Sequence, residues 1–273
     1  MKYSVLMSVY HKDSPAFLKL ALQSIYEQQT RKPDEIVVIF DGPLGDGLMQ
    51  VLKEFASDKP NVVKYYPQEV NRGLGEALRI GAEKCTGDYI FRMDADDISV
   101  PDRFEKQSAY VEAHPDIAVL GSDTAEFDFS PDEEKRLCSF PEKHEDIVKM
   151  AKRRNPINHM SVCMKREALM RCGNYQSMLL MEDYYLWLRM MVAGCRFCNL
   201  HEPLVFVRVG NGFYNRRSSE VQIKGWKALQ TYMLEKRFIN RLEAIRNMLT
   251  VRVFVLIPPR LKKLVYAVFL RKK

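Results

Sequence analysis

The sequence predicts an α/β fold built on a doubly wound, mostly parallel sheet with helices on both faces. Three observations carry this. Strand-like apolar runs alternate with helical-period segments three times before a fourth strand, the signature of a parallel sheet. Turn-forming residues punctuate the changeovers. With 273 residues, 47% of them hydrophobic and 28% charged, the chain can bury a core the size of one large domain or one and a half.

Tyr3 to Val9 alternates and then runs apolar, as a first strand. Asp13-Ser14-Pro15 starts a helix, with a polar cap and Pro in the first turn, and Leu18, Ala21, Leu22 and Ile25 follow at helical spacing. Glu35 to Phe40 is a second strand ending on Asp41-Gly42-Pro43, and Leu48 to Phe55 a second helix. Val62 to Tyr66 is a third strand. Leu74, Ala77, Leu78, Gly81 and Ala82 mark a third helix, and Thr86-Gly87-Asp88 turns the chain into the strand Tyr89 to Met93. The second half is less regular. Helices are expected from Pro101, over His144 to Arg153, Glu182 to Ala193 and Ser219 to Phe238. Short strands are expected at Ser161 to Met164 and Leu204 to Val209, and Ala118 to Phe129 reads as two short strands or a hairpin.

The fourth strand runs straight into Asp94-Ala95-Asp96-Asp97. Carboxylates at a strand's carboxyl end sit where open α/β sheets bind ligands. Crowded acids stay ionised cheaply only around a cation. Oxygen-only ligands suit Mg²⁺ or Mn²⁺, held together with phosphate oxygens. A solvated acidic turn is the plainer alternative.

Met1-Lys2 leads directly into the first strand without a secretory leader, and no stretch reaches the roughly 18 uninterrupted apolar residues of a membrane span. Six scattered cysteines read as reduced and cytosolic; Cys195-x-x-Cys198 has no second pair at zinc-ribbon spacing. The net charge of +7 is concentrated at one end: from Glu235 onward, eleven Lys/Arg face two Asp/Glu, leaving the rest slightly acidic. That argues against a nucleic-acid-binding core. Leu242, Ile245, Leu249, Val253 and Leu256, then Pro258-Pro259, then Leu261, Leu264, Val265, Val268 and Phe269 interleave with these cations, with Tyr266 and Phe269 placed for headgroup depth. Such a basic amphipathic tail reads as lying on an anionic membrane surface, or else as packing on the domain or a dimer partner.

Taken together, four segments resemble the family 2 glycosyltransferases of the GT-A fold, in particular bacterial members that build surface polysaccharides. These are Ser4 to Tyr10 with the helix end Ser24-Ile25-Tyr26-Glu27-Gln28-Gln29, Ile36 to Gly42, Met93 to Asp97 as a DxD motif, and Met181-Glu182-Asp183-Tyr184-Tyr185-Leu186-Trp187-Leu188-Arg189 as the catalytic-base helix. The resemblance implies a GT-A domain over 1–225, with a nucleotide-sugar half (1–100) and an acceptor half (101–225), followed by a membrane-associating helical tail (226–273). It implies an inverting transfer from a nucleotide-diphosphate sugar, a UDP-sugar by preference, to a hydroxyl of a lipid-linked oligosaccharide. The setting implied is the inner face of the cell membrane, with Mn²⁺ or Mg²⁺ as cofactor and a homodimer left open.

Residue by residue, Tyr10 matches the position stacking on the nucleobase, Ser8 a nucleotide contact, Asp41 the carboxylate facing the base, and Arg72 a basic position near the nucleotide. Asp94 matches the ribose-facing and metal-site carboxylate, Asp96 the metal ligand, and Asp97 a group orienting a metal-bound water. Asp183 matches the general base, with Glu182 as runner-up and His159 on the acceptor side. Arg208, Arg216 and Arg217 flank a loop that closes over the diphosphate or faces the acceptor's pyrophosphate. Phe40 and Pro43 depart from the family's usual Asp-Asp-Gly-Ser. Two other readings stand beside this one. A haloacid dehalogenase-type phosphatase is matched loosely by Asp94-Ala95-Asp96-Asp97-Ile98; a non-catalytic nucleotide-sugar-binding subunit is opposed by the presence of both Asp96 and Asp183.

Overall fold

A computed structural model of the chain describes residues 1–133, 135–209 and 220–256. The first half follows the expected alternation: β1 (Tyr3–Val9), α1 (Pro15–Ile25), β2 (Glu35–Phe40), α2 (Asp46–Ala56), β3 (Val63–Pro67), α3 (Leu74–Lys84) and β4 (Tyr89–Met93). The remaining elements are β5 (Ile98–Ser99), α4 (Arg103–Ala113), β6 (Ile117–Phe127), β7 (Arg136–Cys138), α5 (His144–Ala151), a 3₁₀ turn (His159–Ser161), β8 (Cys163–Lys165), α6 (Arg166–Arg171), α7 (Glu182–Val192), β9 (Arg196–Arg208), α8 (Glu220–Glu235) and α9 (Arg241–Leu256).

Among the described residues, nine strands form one sheet in the order β3-β2-β1-β4-β8-β6-β9-β5, with β7 on β6. The block β3-β2-β1-β4 is parallel throughout. β8 enters antiparallel between β4 and β6, and β9 runs parallel to β6. The sheet is therefore mixed, though most of its strands share one direction. All six residues of β2 and all five of β4 are buried, which is why these strands read as continuous apolar runs. One face is covered by α1, α2 and α4 through Leu18, Leu22, Leu52 and Phe104. The other is covered by α3, α5, α6, α7 and α8 through Leu78, Ile147, Leu169, Leu188 and Leu229.

Two expectations need correction. Ala118 to Phe129 is not a hairpin: β6 is one strand of eleven residues, every one buried. Its Gly121-Ser122 pair does not turn, because the Ser122 N–H is held by Ser161 Oγ inside the sheet (3.0 Å). Leu204 to Val209 is the far end of a thirteen-residue β9, which begins beside the Cys195-x-x-Cys198 pair. Register shifts opposite Ser122 to Thr124 break its pattern midway, so the sequence shows two pieces. Position 226 lies within α8, whose Leu229 and Met233 are fully buried. Among the described residues no helix is long and apolar enough to cross a membrane. The loop with Arg216 and Arg217, and the tail from 257 onward, lie outside the described residues.

Candidate active site

β3, β2 and β1 form one side of the sheet, and the chain then crosses to place β4 on the other side of β1. The strand order reverses there, and ligands of open α/β sheets bind outside the carboxyl ends at such a point. In register, Val9 lies beside Phe40 and Met7 beside Met93. Tyr10, Asp41 and Asp94, each just past a strand, therefore share one edge.

Asp94, Asp96 and Asp97 gather there, with one oxygen of each within 4.8 Å of the others. Burial first, and then the Asp94 charge, raises Asp96 to about 6. Asp97 is buried and pushed well above the ordinary carboxylate range by burial, and then by its two neighbours. Three crowded oxygen donors with strained ionisation are what a hard divalent cation would relieve, so the residues present fit Mg²⁺ or Mn²⁺. Asp97 also accepts the Arg208 N–H (2.9 Å), which fastens the end of β9 to the cluster.

At the end of β1, Ser8 and Tyr10 are half-buried. The Tyr10 N–H donates to Asp13 Oδ2 (2.9 Å), closing a tight turn below the ring. Asp41 is buried and serves the neighbouring loop: its carboxylate accepts the N–H groups of Arg72 (2.7 Å) and Gly73 (3.1 Å). Gly42 makes this approach possible. It sits at φ +87, and a Cβ there would meet the Asn71 nitrogen at 2.8 Å. Asp41 thus sets the loop that presents the exposed Arg72.

The first turn of α7 carries Glu182 and Asp183. Asp183 is half-buried and accepts Asn155 Nδ2 and the Tyr184 N–H, both at 2.7 Å. Glu182 packs against the first turn of α3, its Cβ lying 3.2 Å from where a side chain at Gly75 would begin. Burial raises its pKa. His159 does not line the site: it is buried, bonded to Tyr175 Oη (2.8 Å) and edge-on to Trp187. Burial, and then Arg92, holds it well below its ordinary pKa, so it is a neutral core residue.

Two residues of the site, Asp13 and Arg92, went unassigned in the sequence, and a third, Arg208, is held differently from its loop reading. Asp13, read as part of a helix start, faces the cluster; burial raises it to about 7, with Asp96 and Asp94 adding to that. Nothing in Asp13-Ser14-Pro15 distinguishes this from an ordinary cap. Arg92 is fully buried within β4 and ion-paired to Asp94, and its charge reaches Glu182. A cation inside an apolar strand was a visible signal. Arg208, placed at the loop from sequence, is fixed by the Asp96 carbonyl (3.2 Å) and the Phe129 carbonyl (2.9 Å) and lies over the Phe17 ring at 3.8 Å.

A parallel block with this switch and a carboxylate cluster beside it match the GT-A fold of glycosyltransferases. The chain belongs to glycosyltransferase family 2: the profile described as glycosyl transferase family 2 matches residues 4–173. It is 41% identical over 229 residues to the amylovoran biosynthesis glycosyltransferase AmsE of Erwinia amylovora, covering 84% of this chain and 82% of that one. It is 36% identical over 273 residues to the UDP-Gal:alpha-D-GlcNAc-diphosphoundecaprenol beta-1,3-galactosyltransferase of Escherichia coli, covering 99% and 97%. Among solved structures it is similar in fold to the mannosyltransferase PcManGT of Pyrobaculum calidifontis, solved with GDP-Man and Mn²⁺. That match has a TM-score of 0.62 and 16% identity, and covers 97% of this chain and 73% of the other.

Proposed function

We propose that this glycosyltransferase is inverting and divalent-metal-dependent. It moves a sugar from a UDP-sugar to a hydroxyl of a lipid-linked oligosaccharide, in surface polysaccharide assembly at the cytoplasmic face of the membrane. The observation that carries the reading is the cluster of Asp94, Asp96 and Asp97 at the switch edge, with Asp183 next to Glu182, which lies against Gly75 and within reach of the Arg92 charge. Tyr10 stacks on the base, while Ser8, Asp41 and Arg72 shape the pocket around it. Asp94 faces the ribose, and Asp96 and Asp94 hold Mn²⁺ or Mg²⁺. An ion held there would supply positive charge to the departing diphosphate. Asp183, oriented by Asn155 and the Tyr184 N–H, takes the proton of the acceptor hydroxyl as that oxygen attacks from the face opposite the diphosphate. Arg216 and Arg217 are assigned to the diphosphate. The UDP and lipid-diphosphate assignments are supported by the name of the Escherichia coli relative, and the metal by the Mn²⁺ in the mannosyltransferase structure.

The test is UDP release from UDP-galactose with Mn²⁺ and a GlcNAc-diphosphate-alkyl acceptor. Asp96→Ala should lower turnover by about a hundredfold or more, and chelation of the metal should do the same to the wild type. Near-normal rates in Asp96→Ala would sink the metal assignment.

A further inference from the structure

Arg154 lies past the end of α5 and directly before Asn155, the residue that holds Asp183. Its guanidinium is half-buried and stands over the Phe140 ring at 5.9 Å. Among the described residues no carboxylate or carbonyl pairs with it. Arg136 and Arg79, comparably exposed, are each tied to acids: Arg136 to Asp128 at 2.8 Å, Arg79 to Glu76 at 2.8 Å and Glu83 at 2.7 Å. Burial lowers its pKa; the Cys138 thiol opposes this only in part, and no carboxylate does. A half-buried cation with no carboxylate paired to it suits an anion. The favourable end of a helix dipole accounts for Lys149 and Lys152 but not for Arg154, which has left the helix.

The platform under Arg154 is fixed. The Phe140 N–H donates to Asp123 Oδ1 (3.3 Å), and Ser139 Oγ donates to Asp123 Oδ2 (2.8 Å). Further along the same segment Asn158 Nδ2 donates to Thr124 Oγ1 (3.0 Å), so 154–158 is stitched to the carboxyl half of β6 as well as to α7. In the other direction the Lys152 carbonyl accepts Asn247 Nδ2 of α9 (2.7 Å). Lys152 also joins Arg237 and Arg241 around an open cavity of about 820 Å³ at the α8–α9 turn. Glu235 and Glu243 share that lining, and Arg154 is not part of it.

We propose that Arg154, flanked by Lys152 and Arg153, binds the diphosphate of the lipid-linked acceptor. It forms an anion subsite between the base Asp183 and the helices that face the membrane. This rests on the acceptor assigned under Proposed function. In an acceptor carrying a single sugar the anion sits one ring from the attacking hydroxyl, and a planar guanidinium backed by an aromatic ring offers two parallel N–H donors to phosphate oxygens.

The experiment compares two synthetic acceptors: GlcNAc-α-diphosphate on an alkyl chain, and the uncharged α-alkyl glycoside of GlcNAc with the same chain. UDP-galactose is the donor. Wild type should prefer the diphosphate acceptor by tenfold or more in kcat/KM. Arg154→Ala should raise KM for that acceptor about tenfold, with KM for UDP-galactose and the rate on the uncharged glycoside unchanged. Arg154→Lys should fall between. Arg154→Gln, which keeps the stem over Phe140, should behave like Arg154→Ala at an unaltered melting temperature. A wild type indifferent to the diphosphate would overturn the acceptor reading itself. A wild type that discriminates while Arg154→Gln discriminates equally would overturn the subsite alone.

Discussion

Glu35 opens β2 with a side chain only 4% exposed, yet it is an anion. Burial works against the charge, but hydrogen bonds from Lys64 (2.7 Å), Ser4 Oγ (2.5 Å) and the Thr86 N–H and hydroxyl more than reverse it, lowering the pKa from 4.5 to about 2. Because the folded value is depressed, the stabilisation is present above the unfolded value and is lost as pH falls from there toward the folded one. Glu35→Gln should therefore cost on the order of 2 kcal/mol at neutral pH. The melting temperature of the variant should change less than that of wild type between about pH 5 and about pH 3. Parallel melting curves would refute the assignment. Asp183 tests residue chemistry in the other sense. Asp183→Asn keeps the shape but removes the proposed proton acceptor, so kcat should drop about 10²- to 10⁴-fold with donor affinity retained by calorimetry. Loss of donor binding would instead make Asp183 part of the nucleotide pocket.

At the scale of elements, the site depends on how α1 meets the chain that follows the carboxylates. Gln29, just beyond α1, donates Nε2 to the carbonyls of Ser24 (2.6 Å) and Val100 (2.8 Å), and its Oε1 accepts the Phe104 N–H (3.3 Å). Ser24 Oγ accepts the Ser99 N–H (3.0 Å). The Ser24 to Gln29 segment is thus a strut under β5 and α4. Gln29→Ala leaves buried carbonyls and an N–H unpaired, costing about 2 kcal/mol. It should also weaken Mn²⁺ affinity severalfold, read by urea unfolding and metal titration; full stability would show that the strut is dispensable. The same elements mark what a sequence discloses. β1 to β4 were legible because a parallel strand buried on both faces is an unbroken apolar run, and caps such as Ser14-Pro15 bound the helices. The two-residue β5 and six-residue α6 are too short for a period. β6 and β9 were misjudged because bulges and tertiary hydrogen bonds, absent from local pattern, decide them. In the site, the carboxylate cluster announced itself by charge after an apolar run. Asn155 and Asp13 did not, since short polar side chains in loops look alike until folding brings partners to them.

Over the whole molecule, the last described helix, α9, keeps a polar side chain inward and an apolar row outward. α9 turns Asn247 inward, where its amide donates to Gln230 Oε1 (3.0 Å) and the Lys152 carbonyl (2.7 Å), and turns aliphatic residues outward. Leu242 is 78% exposed and Val253 61%, with Ile245 and Leu249 more than half exposed between them on the same side. Arg241, Arg246 and Arg252 interleave with this stripe, all exposed. An apolar row among cations matches an anionic bilayer surface, where each aliphatic chain contributes on the order of 1–3 kcal/mol and the arginines add attraction that salt screens. The same helix reaches the Lys152–Asn155 segment, so seating it on lipid would bring a lipid-anchored acceptor toward Asp183. Leu249→Glu combined with Val253→Glu places charge only on exposed positions, and should leave the melting temperature within a few degrees. It should abolish co-sedimentation with vesicles containing anionic phospholipid, while UDP release with a short-chain soluble acceptor persists. Wild-type binding should weaken as salt rises. Vesicle binding that survives the double substitution would remove the stripe from the membrane contact. A wild type that ignores vesicles but sediments as a dimer, split by the double substitution, would assign the stripe to a second copy of the chain.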